Sequence, residues 1–503
     1  MVLVPEHPID ARQNSGPGNL DDLFRRVVER TPQAWALVDP PDREDFTDTA
    51  PRRLTYAAAD RAIEAMAGRL LELRLPAGST VALQIPNVVE GVIALLGVLR
   101  AGLIAAPMPL LWRQADAAAA LAPLAPRALI GVRRVGAVDH GAVVMNVAAE
   151  LFSVRFVCGF GSALPDGVIS LDDILESTTH APSPFQADAT PPQPVAVVTF
   201  DVTARGVVPV AHTHAGLIAA GNAIVGEARL TSGAAMLGAL AASSFAGLGS
   251  MVLPWLITGG MLALHQPFSP QIFSAQLADE DCRTAVVPAA TVAHLQDAGL
   301  LGRGTALRAI LAVWRSPEFL SAAPAWPRSG PACIDVAAFG EAGIIPRRRG
   351  FDGMPARIPL GALGSEPAIE IARTATGTLA VRGRMVPGPL PAAIETGELP
   401  SLKMDQEGFV DTAYPCRLDR DDNTLVVSGP PAGLINVGGY RFAWRELQDF
   451  LAGLGEEASL AALPDRLAGH RLAGIAGDRE RVRNALLARG ANPLLVAAFR
   501  DRR

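Results

Sequence analysis

Phe200-Asp-Val-Thr-Ala-Arg-Gly-Val-Val-Pro-Val-Ala-His-Thr-His214 lies between an apolar run, Val195 to Thr199, and a second one, Leu217 to Val225. The first run reads as a buried strand and the second as a helix. A strand, a short loop and a helix form the layout in which a loop can hold phosphate on its backbone N–H groups. The composition of this loop works against that use. It has a single glycine, Gly206, where close approach of a backbone to phosphate calls for several, and no lysine to neutralise the charge. Asp201 brings a negative charge to the place anionic oxygens would take; at ~4 Å and an effective dielectric of about 20, one such pair repels by about 4 kcal/mol. Thr203 and Arg205 offset part of this. Two readings stand: an ordinary strand-loop-helix with no ligand, and an altered phosphate loop.

Outward from this stretch the chain alternates. Leu20 to Arg30 has apolar residues at helical spacing, with Asp21 and Asp22 in the first turn, where the helix dipole favours them. Leu54-Thr-Tyr-Ala opens a long amphipathic helix through Leu73, with Thr55 as its cap. Thr80 to Ile85 reads as a strand, Val88 to Arg100 as a helix and Gly102 to Pro107 as a buried strand. That alternation predicts a mainly parallel sheet covered by helices. After Gly350 short β-like pieces between glycines and prolines predict a small barrel-like subdomain. The expected division is a large N-terminal domain over 1–428, with α/β subdomains at about 1–126 and 127–345 and a β-rich subdomain at 346–428. A hinge at 429–433, carrying Pro430 and Pro431, leads to a small, shortened α+β C-terminal lobe at 434–503.

Composition narrows the function. The chain has 503 residues, 50% apolar and 19% charged, enough for a large core and wrong for a disordered chain. A net charge of −6 argues against nucleic acid as the main partner. Cys158, Cys282, Cys333 and Cys416 are far apart and suit buried thiols in a reducing cytoplasm, with no zinc site or disulfide frame. Met1 to Pro8 lacks the basic start and long apolar core of a signal peptide. Leu230 to Leu264 carries no charge and is long enough to span a bilayer. Gly247, Gly249, Pro254, Gly259 and Gly260 punctuate it, so a strand, a buried helix and a second strand are expected instead. His212 and His214 would share one face of a strand, but no third ligand is nearby and no metal site is expected. Ser243-Ser244 lacks the G-x-S-x-G elbow of a hydrolase. The single lysine, Lys403, excludes chemistry that needs two lysines at set places.

Aligned without gaps, the opening stretch resembles the phosphate loop of the AMP-forming acyl-CoA synthetases and related adenylating ligases, T-S-G-T-T-G-x-P-K-G-V-x-x-T-H. Phe200 (loosely), Thr203, Thr213 and His214 fit it. Leu54-Thr-Tyr56, Val81-Ala-Leu-Gln-Ile-Pro-Asn87, Gly377-Thr-Leu-Ala-Val-Arg-Gly383 and Leu434-Ile-Asn-Val-Gly-Gly-Tyr-Arg-Phe-Ala-Trp-Arg-Glu-Leu447 resemble further family segments, in matching order from Leu20 to about Phe499. The resemblance implies the layered α/β fold above. It also implies ATP, Mg²⁺ and CoA as cofactors if activity is retained.

It further assigns stations, and most are altered. Thr203 and Arg205 fall in the phosphate loop. Val313-Trp314 replaces the small pair of the adenine slot; Trp314 either fills the slot with its ring or is a core aromatic. Phe339-Gly340 keeps the start of Y-G-x-T-E, while the Mg²⁺ glutamate is lost and Glu341, two positions early, is expected to point elsewhere. Thr412 is kept beside the ribose station, where Tyr414 replaces the bidentate aspartate. Ser244, Phe245 and Gly247 fall on the acyl cleft, with Ser244 in place of a histidine. The C-terminal catalytic lysine has no counterpart. Arg347-Arg348-Arg349 is a cationic patch, either facing a phosphate such as the nucleotide end of CoA or lying in a solvated loop.

The sequence therefore predicts a divergent member of the acyl-CoA synthetase family, impaired or inactive in ATP-dependent adenylation. It would bind an acyl group, an acyl thioester or a partner protein in the old cleft. Two alternatives stay open: an active acid–CoA ligase using Arg205 and Arg441 in place of lysines, and a non-catalytic regulatory subunit of an active ligase. A cytoplasmic protein without a transmembrane segment is expected.

Overall fold

Asn19 accepts the Asp22 N–H (2.8 Å) and donates its own N–H to the Asp22 carboxylate (3.0 Å), a capping box that starts α1 (Leu20–Arg30). The computed structural model describes residues 18–176, 194–299, 306–321, 328–363, 368–390, 402–465 and 468–500, so the Met1–Pro8 stretch lies outside the described residues. Thr55 caps α2 (Tyr56–Glu72) by accepting the Ala58 N–H (3.2 Å), as its position in the sequence suggests. The helix buries Ala59, Ile63, Met66 and Leu70, the face set by its apolar spacing. Phe24, Tyr56 and Trp255 pack ring to ring at 5.6–6.2 Å and tie α1 and α2 to the uncharged segment.

Two large sheets share the chain by interleaving. β1 (Trp35–Val38) and β2 (Arg53–Thr55) belong to one of them. β3 (Thr80–Gln84), β4 (Ile104–Pro107), β5 (Ala128–Val132), β6 (Phe156–Phe160), β7 (Ile169–Ser170), β8 (Val195–Thr203) and β9 (Gly206–Thr213) form the other, in the order β9-β8-β4-β3-β5-β6-β7. It is parallel except for the antiparallel β8–β9 pair. The chain then passes through a helix (His214–Ala228) and returns to the first sheet with β10 (Met236–Gly238), β11 (Leu262–Leu264), β12 (Thr284–Pro288), β13 (Ala309–Trp314), β14 (Ala332–Phe339) and β15 (Gly343–Arg348). The order there is β15-β14-β13-β12-β10-β11-β1-β2. Leu37 of β1 pairs with Leu262 of β11, so N-terminal and middle parts of the chain complete one sheet. The boundary expected at 126/127 falls inside the seven-stranded sheet, between β4 and β5.

The uncharged segment is what its punctuation suggests: β10, a buried helical stretch over Phe245–Thr258 that includes a π turn at Leu248–Val252, and β11. Among the described residues no helix is long and apolar enough to cross a membrane. Six short strands between Ile358 and Val427 form an antiparallel sheet. Past Pro430 and Pro431, β16 (Leu434–Val437) and β17 (Tyr440–Ala443) make a hairpin whose turn is Gly438-Gly439, both at positive φ (60° and 78°). With two more strands and three helices they form a small lobe around Phe442, Leu447, Leu451, Leu486 and Phe499. All four cysteines are buried and free.

Candidate functional site

The stretch that resembles a phosphate loop is a β-hairpin. β8 runs on through Asp201, Val202 and Thr203, and β9 begins at Gly206, leaving a two-residue turn of Ala204 and Arg205. The expected short loop is absent because valines at 202, 207, 208 and 210 favour extended backbone and pair across the ladder. Thr203 Oγ1 donates to the Gly206 carbonyl (3.0 Å) and accepts the Arg205 N–H (3.2 Å), closing the turn on itself. Gly206 sits at φ 110°, and a Cβ there would meet Glu446 Oε1 at 2.4 Å. Arg205 is exposed at the tip.

Asp201 is buried, and its carboxylate is fully engaged. Oδ1 accepts the Val202 N–H (2.8 Å) and Arg441 Nη1 (3.1 Å); Oδ2 accepts the Glu341 N–H (3.2 Å). Arg441 reaches it from β17 of the small lobe, with Nη2 donating to the Tyr414 hydroxyl and to the Arg315 carbonyl (3.3 Å). Burial works against the charge on Arg441, but Tyr414, Asp201, Glu318 and Glu341 outweigh it and hold its pKa above the ordinary arginine value.

Glu341, expected to point away from the family's Mg²⁺ station, is buried. Gly340 turns the chain at φ 62°, and Glu341 points inward: Oε2 accepts the Phe245 N–H (2.5 Å) and Oε1 lies 3.7 Å from Arg315 Nη2. Burial raises its carboxyl pKa; Arg315 opposes that shift and Asp201 adds to it. Glycine suits the left-handed turn here, and a Cβ would stand 2.1 Å from Asp201 Oδ2, which would have to move. Phe339 meets Tyr414 edge to face at 5.3 Å, and burial pushes the Tyr414 phenol well above its ordinary pKa. Thr412 Oγ1 donates to the Leu379 carbonyl (2.6 Å). Asn436 of β16 donates to Glu318, whose pKa is raised by burial.

The other predicted residues take structural places. Trp314 Nε1 donates to Asp335 Oδ1 (2.9 Å), and the half-buried side chain packs against the side cluster that includes Val287 and Ala312. Ser244 caps a short helix by accepting the Gly247 N–H (3.1 Å); Gly247 is held against the Ala241 carbonyl, 1.9 Å from where a Cβ would be. Phe245 stacks on His212 at 4.5 Å and 13°. His212 and His214 do not converge: His212 Nε2 meets Thr199 Oγ1 (2.7 Å), and His214, on the helix that follows β9, accepts the Leu20 N–H (3.2 Å). Burial lowers their pKa values to about 3 and about 4. The arginine triplet is not one patch. Arg349 is buried on Asp335 (2.9 Å), while Arg347 and Arg348 lie in the edge strand β15. Pro431 is buried at the start of the small lobe.

Sequence reasoning missed the partners. That Asp201 pairs with Arg441 and Glu318 with Asn436 follows from contacts more than a hundred positions apart, and Glu341 meets Arg315 across 26 positions, separations that no local pattern carries. Tyr440 was equally unmarked. Its hydroxyl accepts the Trp112 indole N–H (2.5 Å), and Trp112 in turn packs edge-on against Phe200 (5.0 Å). The result is a closed polar network with three carboxylates and two arginines between the large body and the small lobe. Among the described residues no group of three or more His, Cys, Asp or Glu could hold a metal ion.

A family model described as AMP-binding enzyme matches residues 24–324. The sequence matches none of the curated proteins. Solved structures similar to this chain include the amide bond synthetase McbA from Marinactinospora thermotolerans, at TM-score 0.69 and 18% identity over 94% of each chain. A double mutant of o-succinylbenzoate CoA synthetase from Bacillus subtilis, bound to a product analogue, matches at TM-score 0.66 and 16% identity over 93% of this chain and 92% of that one. Apo MbtA from Mycobacterium smegmatis matches at TM-score 0.65 and 20% identity over 97% and 93%.

Proposed function

The chain belongs to the AMP-binding enzyme family, and from that premise we propose that it keeps the ligase frame without carrying out ATP-dependent adenylation, its cleft serving to hold an acyl group or acyl thioester. The observation that carries this reading is the Asp201–Arg441 pair (3.1 Å), buried where phosphate oxygens would need amides and free cations. Adenylation needs positive potential at the transferring phosphate and a positioned nucleotide. Here the positive groups answer to Asp201, Glu341 and Glu318, and the hairpin N–H groups that face across the ladder donate to carbonyls of the opposite strand. The donors do not fit Mg²⁺-triphosphate: Glu341 spends one oxygen on the Phe245 N–H, and Tyr414 offers a single hydroxyl where ribose asks for a carboxylate.

An acyl thioester is the first ligand to try, since one similar structure is a CoA synthetase with a product analogue bound. The test is calorimetric titration of ATP·Mg²⁺ together with acid-dependent pyrophosphate exchange, followed by thermal shift with acyl-CoA. Absence of exchange, with a Tm raised more by acyl-CoA than by CoA alone, supports the reading, and heat from ATP without exchange does not count against it. Heat with exchange overturns it in favour of a ligase that uses Arg441 and Arg205 as its cations. Stable co-purification with an active ligase, and no response to acyl-CoA, points instead to a regulatory subunit.

A further inference from the structure

A pocket of about 330 Å³ opens at the amino ends of β12, β13 and β14, the opposite end of the sheet from Phe339. The length of β14 separates the two, roughly 23 Å at the ordinary strand rise. Register decides what lines it. Thr284 pairs with Ala309 and Ala309 with Ala332, so the residues just ahead of two adjacent strands, Arg283 and Arg308, stand side by side. The Arg308 N–H donates to the Arg283 carbonyl at 2.7 Å. Arg229, in the left-handed cap (φ 52°) of the helix His214–Ala228, Arg328 and Arg348 complete the rim.

Five arginines thus converge on one concavity, and among its described lining residues there is no aspartate or glutamate. Asp281 lies 3.6 Å from Arg283, and Glu227 takes the backbone N–H of Arg348 (2.7 Å). Arg328 is held over the ring of Phe351 (5.4 Å), and the floor is small, buried and apolar. Like charges lining one concavity repel one another, and a concave wall intensifies the field they share. Such a rim is complementary to a compact anion. Guanidinium forks meet phosphate oxygens in pairs, and the volume suits the head of a small molecule.

We propose that this pocket binds a small molecule carrying two or more phosphate charges, at a site separate from the cleft. The test titrates inorganic pyrophosphate, without Mg²⁺, into the full chain by calorimetry. The expected result is one-to-one binding that weakens as salt rises. In the Arg308→Glu/Arg348→Glu variant affinity should fall on the order of tenfold or more. Circular dichroism checks the fold of that variant, and Arg308→Gln/Arg348→Gln, expected to lose affinity in the same direction, replaces it if charge reversal prevents folding. No heat at millimolar pyrophosphate overturns the proposal. So does an affinity indifferent to these substitutions, which would place the anion elsewhere. Neither result bears on adenylation in the cleft, because Arg308 and Arg348 are remote from Asp201 and Arg441.

Discussion

His212 shows how one side chain can carry a measurable debt to burial. Its ring is stacked on Phe245 and bonded to Thr199, which also hydrogen-bonds Glu341, and burial holds its pKa at about 3. An unfolded histidine titrates near 6.5. The folded value is therefore depressed, and between the two the unfolded chain binds the proton that the folded one refuses. Stability from this site is complete above about pH 6.5 and is lost as pH falls toward the folded value. From pH 7 to pH 5 the loss comes to about 2 kcal/mol. His212→Gln should flatten that dependence: urea midpoints of the parent and variant, compared at pH 7 and pH 5, should differ in slope whatever their offset at pH 7. Equal slopes would mean that His212 charges within the fold.

Elements were more legible than their partners. The helices at Leu20–Arg30, Tyr56–Glu72 and Val89–Arg100 and the strands at 80–84 and 104–107 follow apolar spacing and caps, which act within a few residues. The β8–β9 hairpin was obscured because a strand-loop-helix and a hairpin leading to a helix begin and end alike; what differs is the pairing across Ala204-Arg205. Gly340 marks the limit of that legibility. Its place in a family motif was visible, but its need for φ 62° and for an absent side chain depends on Asp201, distant in sequence. Gly340→Ala should cost about 1–3 kcal/mol for the backbone alone. It should also push Asp201 off the Glu341 N–H, so the loss in a denaturant titration should exceed that range. A cost below 1 kcal/mol would show that the turn relaxes freely.

At the scale of the molecule, the small lobe is fastened by Arg441 on Asp201, Tyr440 on Trp112 and Asn436 on Glu318. Removing one partner of a buried ion pair typically costs about 3–5 kcal/mol because the other charge is stranded. Here the stranded Asp201 regains water most readily by parting the lobes. Arg441→Ala should therefore enlarge the radius of gyration in solution scattering and speed proteolysis at residues 428–433, before any loss of the large body's circular dichroism. Unchanged scattering with a globally lowered Tm would instead make the pair part of a single cooperative core. The shared sheets carry a different consequence. Because Leu37 aligns with Leu262, a nascent chain emerging at about 5–20 residues per second can pair β1 with β2 early but holds the other edge of β1 unmatched for on the order of ten to forty seconds. Over that interval the ribosome presents a bare apolar edge, and chaperones or neighbouring polysomes have time to find it.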